Sequence, residues 1–185
     1  MGTMSRLVSL SALAAALALS ACATTPPGRG APQPAKPIDA ARFYTGTWHE
    51  IARRPMWITD NCVAGTTVYS PPTKPGADVE VLDTCDREAP GGKMKTIGGP
   101  GRILDPGTNA KLRVDYPLWF DRDYWVLDRA EDYSWFISAD PTMRDLYIYS
   151  RTPQISPALR SQLEARAKAL GYDVARLEWP EQPAG

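Results

Sequence analysis

The side chains best suited to covalent or acid–base chemistry are three cysteines and a single histidine, in a chain of 185 residues. A nucleophilic cysteine needs a basic partner, and a zinc site needs four N or S ligands. The only imidazole, His49, is expected to be a packing or surface residue and is not near Cys62 or Cys85 in the sequence. No Gly-x-Ser-x-Gly motif of the common hydrolases occurs. We therefore expect no catalytic residues, no metal and no cofactor.

The remaining cysteine, Cys22, follows a short apolar segment over residues 7–19, and Arg6 is the only charged residue before it. The segment is shorter than the about 20 residues of a membrane-spanning helix and has the length of a signal-peptide core. Leu19-Ser-Ala-Cys22 resembles the lipobox of bacterial lipoproteins, in which the cysteine is acylated. We expect a signal peptide over 1–21, lipidation of Cys22 and anchoring in the outer membrane. An ordinary secretory peptide with an incidental cysteine is the alternative.

Composition divides the rest of the chain into a tether and one domain. Residues 22–37 are rich in Pro, Ala, Thr and Gly without apolar periodicity, which predicts an extended tether. Residues 38–183 suit one domain with one core. The chain has 21 basic and 21 acidic side chains. That balance gives no reason to expect nucleic-acid binding or a polybasic membrane patch.

Eight short runs of strand-forming residues follow residue 45, separated by Gly, Pro, Asp and Asn. They are Gly46–Arg53, Cys62–Tyr69, Val79–Cys85, Lys93–Leu104, Lys111–Tyr116, Tyr124–Asp128, Tyr133–Ala139 and Leu146–Ser150, with a bend or bulge expected at residues 98–100. Their regular spacing predicts a sandwich or a barrel. An eight-stranded up-and-down barrel closes its own edges and can hold one small ligand.

One amphipathic helix is predicted after the strands. Ser156 is a suitable N-cap, Pro157 suits the first helical position and Gly171 suits the position after the end. The apolar residues of this helix form one stripe that would pack against the outside of the sheet: Leu159, Leu163, Ala167 and Leu170.

Cys62 and Cys85 lie on the second and third predicted strands. If the hairpin between them is centred between residues 73 and 74, the two cysteines are directly opposite. Opposed Cβ atoms are about 4.5–5.5 Å apart, close to bridging distance. In an oxidising compartment we expect a disulfide, with two reduced thiols or a metal pair as alternatives.

Three segments resemble the motifs of the lipocalin family, in the family's order: Gly46-Thr-Trp48, Asp132-Tyr133 and Arg151-Thr-Pro153. The resemblance covers about residues 38–183 and points to the bacterial lipocalins related to apolipoprotein D. It implies an all-β fold, an eight-stranded antiparallel up-and-down barrel with one C-terminal α-helix packed outside. It also implies that Trp48 closes the barrel floor beneath the Arg151 guanidinium. Gly46, Trp48, Asp132, Tyr133 and Arg151 are then structural residues.

The same resemblance places a ligand cup at the end of the barrel opposite these motifs. The expected lining residues are Met56, Trp57, Tyr69, Val114, Tyr116, Trp119, Phe120, Trp125 and Tyr147, with Arg53 or Arg113 meeting an anionic head group. Packing of the Met56–Trp57 loop onto the rim without a ligand is the alternative. The implied function is storage or transport of a fatty acid or lysophospholipid by a monomer or homodimer.

Two other classes of function remain open at this point. Some lipocalins catalyse isomerisation or epoxide chemistry, and a free cysteine in the cup would serve that chemistry. A structural or assembly lipoprotein would instead have a filled interior and an exposed apolar patch.

Overall fold

A computed structural model describes residues 30–118 and 120–184 of the chain. Eight antiparallel strands follow one another around a closed barrel, and the last strand pairs with the first, as predicted. The strands are β1 (Gly46–Arg53), β2 (Cys62–Ser70), β3 (Val79–Arg87), β4 (Met94–Ile103), β5 (Lys111–Tyr116), β6 (Phe120–Arg129), β7 (Trp135–Ala139) and β8 (Leu146–Ser150). In the part of the chain described, no helix has the length and apolar character needed to cross a membrane.

Alternation along the strands separates the interior from the surface. In β5, Leu112, Val114 and Tyr116 are buried inside the barrel, whereas the other three residues of the strand are partly exposed. Successive side chains of a strand point to opposite faces, so one face of each strand fills the core. Every strand also pairs on both edges, which leaves no open sheet edge among the described residues.

The barrel has a closed end that carries the family motifs. There the short helix α1 (Ala40–Phe43) is capped by Asp39, and Phe43 packs against Trp48 with ring centroids 5.2 Å apart. The Arg151 guanidinium lies 3.6 Å from the Trp48 ring centroid, which is the contact that the lipocalin resemblance implies. Such a cation–π contact contributes about 0.5–2 kcal/mol. The connections β2–β3, β4–β5 and β6–β7 lie at this end, and the other four connections form the open end.

The C-terminal helix α2 (Pro157–Ala169) packs on the outside of the barrel. The Ser156 hydroxyl accepts a hydrogen bond from the Leu159 amide at 3.1 Å, and Gly171 follows the helix with a φ of +94°. Leu163 and Ala167 are fully buried against the outer faces of β7 and β8. The helix bounds and its buried face agree with the prediction.

The last part of the predicted tether is packed against the barrel. The Ala31 amide donates to the Pro141 carbonyl at 2.9 Å, at the open end. Lys36 pairs with Asp128 at 3.1 Å, and the Ile38 amide donates to the Thr108 carbonyl at 2.8 Å, at the closed end. Residues 30–37 therefore run along the barrel wall. The predicted signal peptide, Cys22 and residues 23–29 lie outside the described residues.

The Cys62–Cys85 disulfide is present, but the register predicted around it is wrong. Cys62 pairs with Arg87, two residues beyond the expected partner, and the Cα atoms of the two cysteines are 5.4 Å apart. The disulfide therefore joins diagonal neighbours on the two adjacent strands, not directly opposed residues. An irregularity between Val63 and Thr66 places one extra residue in β2. Ala64 takes up the bulge with a φ of +49°.

The glycines of β4 have a different role from the predicted bend. Gly98 and Gly99 lie in an unbroken register opposite Leu82 and Val81. A Cβ atom at Gly99 would collide with the Asp115 carbonyl oxygen of β5. These positions are glycine because neighbouring backbone passes too close for a side chain.

Candidate ligand-binding site

A cavity of about 190 Å³ occupies the open half of the barrel. Its wall combines apolar, aromatic and hydroxyl side chains with a few charged ones, and β1 to β6 and β8 all contribute. The lining residues are Glu50, Arg53, Met56, Ile58, Thr59, Cys62, Gly65, Thr66, Thr67, Asp83, Thr84, Cys85, Lys95, Thr96, Ile97, Tyr116, Phe120, Arg122, Tyr124, Tyr147 and Tyr149. A second chamber of about 20 Å³ continues towards the closed end.

Four tyrosines give the cavity a wall that is aromatic and also offers hydroxyl groups. The Tyr116 and Tyr124 hydroxyl oxygens are 3.1 Å apart, and the Tyr124 and Tyr147 ring centroids are 5.6 Å apart. Tyr149 lies further in and stacks on Phe136 at 4.7 Å. Burial raises the pKa of Tyr116, Tyr147 and Tyr149 well above the ordinary value, so these phenols stay neutral.

Glu50 and Arg53 form an ion pair in the wall near the mouth. Arg53 Nη1 is 2.5 Å from Glu50 Oε1, and Arg53 Nε is 2.7 Å from Glu178 Oε1. Arg53 Nη2 also donates to the Cys62 carbonyl at 2.7 Å. Burial raises the pKa of Glu50, although the charge of Arg53 opposes this effect. Arg53 already has two carboxylate partners, and it is a structural cation of the wall.

Arg122, a second arginine of the cavity wall, has fewer strong hydrogen-bond acceptors than Arg53. Its Nη1 is 2.8 Å from Asp145 Oδ2, while Nη2 reaches the Met56 thioether at 3.3 Å. A thioether is a weak acceptor. Burial alone would raise the pKa of Asp145, but Arg122, Arg144 and Arg54 lower it. The fully buried Asp145 thus fixes Arg122 in the cavity wall, with its Nη2 against the Met56 thioether.

Asp83 lies at the neck between the two chambers and lines both. Its Oδ1 accepts from the Thr67 hydroxyl at 2.5 Å, and its Oδ2 accepts from the Tyr116 hydroxyl at 2.5 Å. Burial raises the pKa of Asp83 from 3.8 to about 6, and the two hydrogen bonds only partly oppose this effect. Its remaining accessible surface faces the cavity. No basic side chain in residues 30–118 or 120–184 forms an ion pair with it.

The structure brings seven of the sequence-predicted site residues to these chambers. Five line the main cavity, Arg53, Met56, Tyr116, Phe120 and Tyr147, and Tyr69 and Val114 line the inner chamber. Trp57 lies at the open end with 82% of its surface exposed and does not line the cavity. Trp119 lies outside the described residues.

Two expected site residues point away from the cavity, Trp125 because the parity of β6 differs from the one assumed, and Arg113 because it alternates with the inward-facing Val114. Tyr124 pairs with the inward Leu112, whereas Trp125 pairs with Lys111, whose ammonium lies 4.2 Å from the Trp125 ring centroid on the outer face. Arg113 is also on the outer face, where its Nε donates to Asp123 Oδ1 at 2.6 Å. Neither Trp125 nor Arg113 lines a chamber.

Sequence reasoning missed the polar residues of the neck and the cation of the wall: Asp83, Thr67, Tyr124, Tyr149 and Arg122. For Asp83, the sequence did contain a signal, the alternation of apolar residues along β3. Val79 and Val81 are buried alternate residues of β3, so residue 83 falls on the inward face. An acidic residue at an inward position of a strand indicates a functional or paired group.

The chain matches the lipocalin-like domain family over residues 38–182. It is 32% identical to the outer membrane lipoprotein Blc of Citrobacter freundii over 177 residues, or 94% of this chain and 96% of that protein. It is also 32% identical to temperature-induced lipocalin-1 of Arabidopsis thaliana over 143 residues, or 72% and 74%. Among solved structures, insecticyanin from the tobacco hornworm Manduca sexta has a similar fold, with a TM-score of 0.64. That match has 17% identity and covers 84% of this chain and 88% of insecticyanin.

Proposed function

Since the chain belongs to the lipocalin-like family, we propose that it binds a fatty acid or lysophospholipid in the open half of its barrel. Lipocalins bind small hydrophobic ligands, and two relatives are named outer membrane lipoproteins. The observation that carries the proposal is a cavity of about 190 Å³ with an aromatic and apolar wall. A mostly apolar pocket with a few placed polar groups suits an amphiphile.

Arg122 supplies the group that would meet an anionic head. Its Nη2 faces a thioether at 3.3 Å, and a ligand carboxylate or phosphate would replace that weak acceptor with a charge-assisted hydrogen bond. Arg53 and Arg113, the cations expected from the sequence, already pair with protein carboxylates. Lys95 also lines the cavity and adds positive charge.

The path of the N-terminal segment supports ligand exchange at a membrane. Ala31 is held at the open end by Pro141, and the proposed lipid site Cys22 is nine residues earlier. A chain of nine residues spans at most about 30 Å. The proposed anchor would therefore keep the cavity mouth within about 30 Å of the bilayer surface. Trp57 and Leu118, which are 82% and 87% exposed, lie at the same end.

The test is a binding titration with oleate and with a lysophospholipid, followed by tryptophan fluorescence, on delipidated protein that lacks the signal peptide. Arg122→Gln is expected to weaken oleate binding about tenfold, the loss of one charge-assisted hydrogen bond. Arg113→Gln, on the outer face, is the matched control and should bind as the wild type does. The absence of saturable binding by either ligand would refute the proposal.

The anchor is tested separately in the bacterial envelope. We expect Cys22→Ala to release the protein from the membrane fraction, and mass spectrometry of the wild type to find acyl groups on residue 22. Membrane association that persists in the Cys22→Ala protein would contradict anchoring through this residue.

The observations favour binding over the two other classes of function. Cys62 and Cys85 are joined in a disulfide, so neither thiol is free for the chemistry of an isomerase. A purely structural lipoprotein would have a filled barrel, whereas this barrel holds two chambers.

A further inference from the structure

Two carboxylates line the cavity, and their charges are balanced differently. Glu50 is paired with Arg53 at 2.5 Å. Asp83 receives only hydroxyl hydrogen bonds, from Thr67 and Tyr116, and within the described residues it has no cationic partner. A buried carboxylate without a counter-ion is costly unless something else supplies positive charge. The unmatched carboxylate faces the space that a ligand would occupy.

The hydroxyl groups around Asp83 form a cluster of further acceptors. The Tyr124 hydroxyl is 3.1 Å from that of Tyr116, and the Tyr149 hydroxyl is 3.4 Å from that of Thr67. A hydroxyl oxygen that donates its proton keeps lone pairs that accept. A primary ammonium group has three donors and no acceptor. The neck therefore offers a carboxylate and several hydroxyl oxygens to a group that can only donate.

Aromatic rings add a second attraction for positive charge. Tyr124, Tyr147 and Tyr149 line the main cavity, and neighbouring ring centroids are 5.6 Å and 6.4 Å apart. The faces of aromatic rings attract ammonium groups, most strongly where water is excluded. A ligand carboxylate at the same place would instead meet the like charge of Asp83. The described residues contain no cluster of three His, Cys, Asp or Glu that could hold a metal ion.

We propose that the neck of the cavity is a subsite for an organic cation, a primary ammonium group on an apolar chain, with Asp83 as its counter-ion. The proposal rests on the proposed function because it uses the same cavity, but it adds a ligand class, the amphiphilic amines. The apolar part of the amine would lie toward the mouth, against Ile58, Ile97 and Phe120. An amine and an anionic lipid would then be held by different groups of the same cavity, Asp83 and Arg122.

The experiment compares three ligands of equal chain length: octylamine, octanol and octanoate. Each is titrated by calorimetry at pH 7.5 into the wild type, into Asp83→Asn and into Asp115→Asn. The last variant makes the same change on the outer face of β5, where Asp115 pairs with Arg102 at 3.1 Å. We expect the wild type and Asp115→Asn to bind octylamine at least tenfold more tightly than octanol. Asp83→Asn should lose this preference and should bind octanoate as well as the wild type or better.

The pH dependence of the wild type gives a test that needs no variant. A carboxyl with a pKa of about 6 is about one-tenth ionised at pH 5, so octylamine affinity should fall about tenfold between pH 7.5 and pH 5. The other titratable and charged groups facing the cavity are Glu50, Arg53, Lys95, Tyr116, Arg122, Tyr124, Tyr147 and Tyr149. Where Asp83→Asn folds, its profile measures the contribution of these groups, and the difference between the profiles belongs to Asp83.

The outcomes separate this inference from the proposed function. Octylamine that binds no better than octanol, or equally well to Asp83→Asn, overturns the ammonium subsite. If octanoate still binds in that case, the proposed function stands. If none of the three ligands binds, the ammonium subsite fails, and the titration with oleate and lysophospholipid decides the proposed function.

Discussion

Replacing Asp83 with asparagine should make the protein more stable at neutral pH. The substitution keeps the size of the side chain and its ability to accept from Thr67 or Tyr116, whose hydroxyls donate to Asp83 at 2.5 Å. It removes a negative charge that lacks a counter-ion among the described residues. A charge that is buried for ligand binding costs folding stability, so its removal should be stabilising.

The size and sign of the effect follow from the pKa of Asp83. Burial raises it from 3.8 to about 6, which corresponds to about 3 kcal/mol. Water in the cavity would screen part of this charge, so we expect about 1–3 kcal/mol. The folded state holds the proton up to about pH 6 and the unfolded state only up to about 3.8. The cost of Asp83 is therefore fully present above pH 6 and disappears as the pH falls towards 3.8.

The assay is urea denaturation followed by tryptophan fluorescence between pH 7.5 and pH 4.5. The free energy of unfolding of Asp83→Asn should exceed that of the wild type by about 1–3 kcal/mol at pH 7.5, and by about a third of that amount at pH 4.5. The outer-face variant Asp115→Asn should differ from the wild type by a constant small amount. A destabilised Asp83→Asn at pH 7.5, or an advantage that does not change with pH, would show that the charge of Asp83 is compensated within the fold.

Two further predictions concern the closed end and the disulfide. Arg151→Ala should lower stability by about 2 kcal/mol in the same assay, because it removes the contact with Trp48 and four hydrogen bonds to backbone carbonyls; a loss of less than about 0.5 kcal/mol would contradict this role. The double change Cys62→Ser and Cys85→Ser should cost about 3 kcal/mol, since the bridge closes a loop with a sequence separation of 23 residues. A reducing agent should lower the free energy of unfolding of the wild type by a similar amount and should not change that of the double variant.

Local patterns predicted the elements of the fold well. Runs of strand-forming residues between turn residues predicted β5 and β8 with the bounds found in the structure. The N-cap Ser156 and the left-handed Gly171 bracketed α2 as expected. These features depend on residues within a few positions of one another, and the pleat and the helical turn repeat over such distances.

The same patterns failed where the answer depended on the register between strands. The sequence prediction puts the turn between β2 and β3 too early. It therefore sets Cys62 opposite Cys85, whereas the structure pairs Cys62 with Arg87. In β6 the assumed parity selected Trp125 for the cavity, whereas Tyr124 is the residue that faces inward. A shift of one residue moves a side chain to the other face of a sheet, and composition alone does not determine that shift.

The sequence by itself determined the eight strands and the outer helix, because strand-forming runs, turn residues and helix caps are local properties, and its resemblance to the lipocalin motifs implied that the strands close into a barrel. Only the tertiary structure brought Asp83 to the neck of the cavity. Its hydroxyl partners Thr67 and Tyr116 are 16 and 33 residues away in the chain, and Tyr149 is 82 residues from Thr67. Closing the barrel determines which distant side chains share the interior, and therefore where the cavity carries charge.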